Sequence, residues 1–135
     1  MMKNQVAVYR RPRDGRAIIA AISASREGKT HDKKMYDQAR MTTQKGIKRG
    51  GDTGYLGAVM DMPYKKPKGK ELTPEQKAYN RAFSSKRVKV EHGIGGMKRF
   101  GIAAQRWRNP RHTRTIIIKN VVGLANWSYD HRFAA

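Results

Sequence analysis

The sequence predicts an α/β chain, and three observations predict it. Two β-rich runs, Gln5–Tyr9 and Ala17–Ser23, flank a turn signal at Asp14-Gly15. A strong helix start stands mid-chain at Thr73-Pro74-Glu75-Gln76. A third run, from Arg114 to about Tyr129, repeats its apolar residues at helical spacing. The predicted order is strand, strand, helix, short strand, helix, helix, with no internal repeat. The 135 residues suit one domain with a modest core.

The opening strand rests on the β-formers Val6, Val8 and Tyr9. Asp-Gly between β-rich runs marks a hairpin, because glycine adopts positive φ at little cost. Ala17–Ser23 is nearly continuously apolar, as in a strand covered on both faces. Ser25–Thr30 reads as a polar loop. Thr30 is placed to cap a helix from His31 to about Arg40, with Asp32 in the first turn and Met35, Tyr36 and Ala39 as a thin apolar stripe. A short strand near Ile47–Arg49 and a tight turn around Asp52 follow. Met60–Leu72 is a loop with Pro63, Pro67 and the lysines Lys65, Lys66, Lys68 and Lys70. Thr73 is a good N-cap, Pro74 suits the first helical position, and Gln76 completes a capping box. That helix is expected to reach Phe83. Ser84 or Ser85 is expected to cap a second helix to about Arg99, with a core stripe of Val90, Ile94 and Met97. Gly101–Thr113 reads as an Arg-rich loop holding Trp107 and Pro110. In the last helix Ile117, Val121, Leu124 and Ser128 share one face, with Ile118, Val122 and Ala125 beside them.

Charge dominates the composition. Thirty Lys and Arg stand against ten Asp and Glu, a formal net charge of +20. So large an excess repels itself until a polyanion neutralises it, and nucleic acid is the usual one. The absence of cysteine excludes disulfides and thiolate metal sites. No apolar run has the length of a signal peptide or a membrane span. The expectation is a soluble cytoplasmic protein, associated with the nucleoid.

Acidic residues are scarce, so each is weighed. Asp52 lies between Gly51 and Thr53-Gly54, where glycines let backbone, a metal or a phosphate approach closely. The plain alternative is a turn-forming Asp. Glu91 lies on a predicted helix, with Arg87 one turn before and Lys98 two turns after. Gly93, Gly95 and Gly96 follow it, and each glycine inside a helix costs about 1 kcal/mol relative to Ala. Such a cluster points to close approach of another group. The alternative for Glu91 is a salt-bridged surface residue. Together Asp52 and Glu91 offer hard oxygen ligands to a divalent cation such as Mg²⁺ in a basic groove. Lys65, Lys66, Lys98, Arg99, Arg106 and Arg108 are the candidates for DNA phosphates. Trp107 is read either as a plate for unpaired bases or as a core anchor. His92 and His112 stand isolated.

Several blocks follow in order: Gly28-Lys29-Thr30-His31-Asp32, Gly51-Asp52-Thr53-Gly54-Tyr55-Leu56-Gly57, and Pro63-Tyr64-Lys65-Lys66-Pro67-Lys68-Gly69-Lys70. Then come Tyr79-Asn80-Arg81, Ser84 to His92, Met97-Lys98-Arg99-Phe100 and Arg106-Trp107-Arg108-Asn109. This succession resembles the DDE transposases of a large bacterial insertion-sequence group with Harbinger-type eukaryotic relatives. The resemblance implies an RNase H-like fold, a central mixed sheet flanked by helices. It implies three carboxylates holding two Mg²⁺ or Mn²⁺ ions, with Asp52 matching the second and Glu91 the third. It implies DNA cleavage at element ends and attack of the freed 3′-hydroxyl on target DNA.

The resemblance places the family's first Asp on an opening strand upstream of a segment similar to Lys3-Asn4-Gln5-Val6, and this sequence has no match for it. Asp14 falls in the hairpin turn, and Asp32 reads as a helix-start acid. The expectation is therefore the later part of a catalytic domain, residues 1–135, poorly stable alone and without autonomous transposition. Partners are DNA and, beyond it, a second copy or a full-length transposase, but no membrane. Two rival readings stay open: a non-catalytic DNA-binding remnant that regulates a full-length transposase, and a small basic structural nucleic-acid binder.

Overall fold

A computed structural model describes residues 1–43, 45–51, 53–58 and 60–131 of the chain. These residues form two compact units, Met1–Lys29 with the chain from Lys89 onward, and Thr30–Val88. Helices and small antiparallel sheets together make an α/β chain.

The first unit is built on the predicted hairpin. Strands β2 (Val6–Arg10) and β3 (Ala17–Ile22) pair antiparallel, with Val6 opposite Ile22 and Arg10 opposite Ala17. The turn closes through Arg11 N to Arg16 O at 2.8 Å and Gly15 N to Arg11 O at 2.7 Å. Gly15 takes φ +67°, a conformation costly to any residue with a Cβ. The expected loop at Ser25–Thr30 is partly ordered instead. Strand β4 (Arg26–Glu27) pairs with β1 (Met2–Lys3), and Gly28 N donates to Met1 O at 2.8 Å. A ladder only two residues long leaves no readable period, which is why the sequence conceals it.

Helix α4 (Arg114–His131) and the closing part of α2 (Pro74–Lys98) cover the hairpin. Ile19, Met97, Ile118 and Val121 form the core, flanked by Val6, Val8, Ile22, Phe100, Ala103 and Val122. The buried face of α4 is Arg114, Ile118, Val121 and Ala125, so Ile118 and Ala125 belong to the core line. The expected member Leu124 is exposed, as are Ile116 and Trp127. The edge of β3 is covered by one side chain: Asn126 Oδ1 accepts from Ile19 N at 3.0 Å, and its Nδ2 donates to Ile19 O at 2.9 Å. That reciprocal pair satisfies backbone groups that an open edge would leave for another strand. Between the two long helices the expected loop is kept only at residues 105–110. Before it lies α3 (Gly101–Ala104), and after it a 3₁₀ turn at Arg111–Thr113 that runs into α4.

In the second unit, helix α1 (Asp32–Ala39) begins one residue later than expected. His31, not Thr30, is its cap, with Nδ1 accepting from Lys33 N at 3.3 Å. Met35 is buried as the stripe predicted. The short strand expected at Ile47–Arg49 is absent among the described residues. In its place Gly50 bridges Asp61 in parallel.

Helix α2 starts as predicted. Gln76 N donates to Thr73 Oγ1 at 3.2 Å, and Thr73 N donates to Gln76 Oε1 at 3.1 Å, a complete capping box. It does not stop at Phe83, because one helix continues through Ser84 and Ser85 to Lys98. Serine is a middling helix residue rather than a breaker, and good formers flank the pair.

Candidate functional site

The sequence placed chemistry at two carboxylates and six basic residues. Asp52 lies outside the described residues. Its surroundings are described. Gly51 N donates to Asp61 O at 2.9 Å, and Asp61 N donates to Arg49 O at 2.8 Å. Neither neighbouring glycine has room for a side chain. A Cβ on Gly51 would collide with Met60 Sδ and the Tyr55 ring, and one on Gly50 would press on the Phe83 ring. The 3₁₀ turn Thr53–Tyr55 follows, and Tyr55 meets Tyr36 of α1 edge to face. Arg49 is held firmly here: its Nη2 donates to Met41 O at 2.6 Å, its Nε to Thr43 Oγ1 at 3.0 Å and its Nη1 to Tyr36 Oη. Tyr36, Thr43, Ile47, Lys48, Arg49, Ala58, Met60 and Asp61 line a cleft on this unit. The groups that approach Gly50 and Gly51 are thus the chain's own side chains.

Glu91 sits exposed on α2, within the first unit. Ion pairs occupy Asp14, Glu27, Asp37, Glu71 and Asp130. Glu75 lies in the first turn of α2, where the helix dipole favours a negative charge. Among the described carboxylates only Asp61 and Glu91 have neither arrangement. The salt-bridge alternative for Glu91 is therefore not realised by any described cation. Its carboxylate is a hard oxygen donor open to solvent, which suits it to a divalent cation with water and phosphate oxygens. Among the described residues no three His, Asp or Glu side chains gather within reach of one ion.

The glycines after Glu91 do allow close approach. Gly93 faces Val8 of β2, and Gly96 lies under Tyr129 of α4, whose Oη donates to His92 O at 3.0 Å. The group that approaches is thus the protein's own core. Gly95 faces open space.

The basic candidates divide between the units. Lys65 and Lys66 are exposed in the second unit, on a loop tied to α2 by Asn80. Tyr64 N donates to Asn80 Oδ1 at 2.7 Å, and Asn80 Nδ2 donates to Tyr64 O at 3.0 Å. Tyr64 meets Tyr79 of α2 edge to face, and Tyr79 stacks on Phe83. Lys66 pairs with Glu71, an exposed contact weak enough for a phosphate to displace. Lys98, Arg99, Arg106 and Arg108 are exposed in the first unit, with Glu91.

Sequence reasoning missed one residue. Arg114 is 8% exposed, yet no described acceptor reaches its guanidinium, and its Nε is fully buried. Its Cζ lies 5.2 Å from the centroid of Trp107, and burial pulls its pKa below the ordinary arginine value. Trp107 itself is half-buried, with Nε1 donating to Pro110 O at 3.3 Å. Nothing in an Arg-rich stretch distinguishes the one arginine that turns inward.

Residues 11–126 match the family of DDE superfamily endonucleases. The chain belongs to that family. The chain is also 35% identical over 107 residues to the probable transposase for insertion sequence element IS702 of Microchaete diplosiphon. The alignment covers 75% of this chain and 38% of that relative, so the chain spans well under half of the relative's length. No solved structure matches the chain. None of its described helices is long and apolar enough to cross a membrane.

Proposed function

We propose that these residues are part of an RNase H-like DDE catalytic domain that performs DNA transposition. In this reading Asp52 and Glu91 are the second and third metal-binding carboxylates. The observation that carries it is the family match over residues 11–126, which spans both acids and their motif blocks. The solvent-facing, unpaired Glu91 supports it, because a carboxylate kept free in a chain of net charge +20 is available to a cation.

Two Mg²⁺ or Mn²⁺ ions, when bound, would activate the attacking oxygen and stabilise the leaving one. The chain's own part is binding and orientation. Lys65 and Lys66 on one unit, and Lys98, Arg99, Arg106 and Arg108 on the other, take backbone phosphates. Asp52 and Glu91 anchor the cations against them. Both units belong to one catalytic domain in this reading.

Purified chain is expected to bind duplex DNA with an affinity that falls steeply with salt. With Mg²⁺ it should nick DNA weakly or not at all, because the sequence matches two of the family's three carboxylates. Robust Mg²⁺-dependent cleavage that Asp52→Ala abolishes would contradict the missing-ligand part. Failure to bind DNA even at low salt would end the proposal.

A further inference from the structure

Arg114 is the least expected residue of the molecule. The Nε of its guanidinium is fully buried, and a buried N–H donor is met in proteins by a carboxylate, a carbonyl or a bound anion. Here Arg114 is 8% exposed and no described group accepts from it. The Trp107 ring at 5.2 Å offers its π face, which attracts the charge but accepts none of the in-plane donors.

The surroundings are those of an anion site. Arg114 is the first residue of the 18-residue α4, which continues from the 3₁₀ turn Arg111–Thr113, and its own amide donates to Arg111 O. Trp107 is fixed rather than free. The Pro110 carbonyl accepts from its Nε1 at 3.3 Å and from Thr113 Oγ1 at 2.7 Å, closing the loop over the helix start. Arg106, Arg108 and Arg111 stand exposed around it. Only Arg111 among these contacts a described carboxylate, Glu27 at 3.3 Å, an exposed pair that a stronger anion can displace.

We propose that the junction of the 105–113 loop with α4 is a phosphodiester site. In it Arg114, sheltered by Trp107, receives a DNA backbone phosphate that Arg106, Arg108 and Arg111 steer inward. Trp107 thereby serves as a lid on the guanidinium. This site rests on the DNA-binding reading above and adds its buried contact point.

The chain contains two tryptophans, so a Trp127→Phe background leaves Trp107 as the sole indole reporter. Its emission should change saturably on titration with a short DNA duplex, and with inorganic phosphate only at much higher concentration. Arg114→Gln should lose that response, weaken duplex binding by about tenfold and lower the salt slope by about 1. Arg114→Lys, which keeps the charge but not the fork, should fall between the two. The emission titration needs no change at Arg114, so a poorly folding variant does not remove the test. An emission indifferent to both duplex and phosphate would overturn the site, as would Arg114→Gln binding with the original slope. A response to inorganic phosphate without one to DNA would overturn the DNA assignment. If the unsubstituted chain fails to bind duplex at low salt, the DNA-binding reading falls first and this site with it.

Discussion

Arg11 holds two carboxylates at once, Asp14 beside it in the hairpin turn and Asp130 near the end of α4, at 2.7 Å from the latter. Arg16 adds a hydrogen bond from Nη1 to Tyr129 O at 2.6 Å, so the turn is fastened to the last helix. The Arg11 hydrogen bond lowers the Asp14 carboxyl from 3.8 to about 2, and the same cause lowers Asp130. A carboxylate whose folded pKa lies below its unfolded one stabilises the fold above the unfolded value. That contribution is lost as pH falls through the folded value. For Asp14 the window is therefore from about 4 down to about 2. Asp14→Asn should be slightly less stable than the parent at neutral pH, and the gap should close across that window. Thermal midpoints at stepped pH check this, and a gap as large at pH 2 as at neutral pH would contradict it. The effect should be modest, because the group is exposed.

At the scale of elements, α2 offers a comparison within one helix. Gly95 faces open space, so Gly95→Ala should stabilise by about 1 kcal/mol through helix propensity alone. Gly96 lies under the Tyr129 ring, so Gly96→Ala must push that ring off its bond to His92 O. It should destabilise by roughly 1–3 kcal/mol despite the same propensity gain. Denaturant midpoints of the two variants decide the matter, and shifts of equal sign would refute the packing. At the start of the same helix, Thr73→Ala should cost about 1 kcal/mol. Combined with Gln76→Ala, it should cost less than the two separate losses added, because the two bonds form one box.

These elements also show what the residues disclose and what they hide. Asp14-Gly15 and Thr73-Pro74-Glu75-Gln76 announced a turn and a helix start because each carries its own local chemistry. The run of α4 is apolar nearly all round near Ile116 to Ile118, so periodicity alone could not choose Ile118 over Ile117 for the core. The serines at positions 84 and 85 suggested a cap, but nothing there opposes helix continuation. At the candidate site, the exposed position of Glu91 followed from its charged surroundings, whereas the burial of Arg114 depended on a loop that only tertiary contacts fix.

At the scale of the molecule, a net charge of +20 sets the terms. Self-repulsion weakens the free chain, and a bound polyanion would relieve it. Duplex DNA at about 100 times its dissociation constant should raise stability by roughly 2.7 kcal/mol, seen as a higher Tm. An unchanged Tm at saturating DNA and low salt would contradict the basic surface as a binding surface. The same account joins acids 52 and 91 into one cation site. Mn²⁺ binding in the presence of duplex DNA, followed by electron paramagnetic resonance of the free ion, tests this most directly on the parent, Asp52→Asn, Glu91→Gln and the double variant. Each single substitution should lose nearly as much Mn²⁺ affinity as the double, because the two carboxylates act as one unit. Single variants that bind Mn²⁺ like the parent, or losses that simply add, would mean that the two acids share no ion.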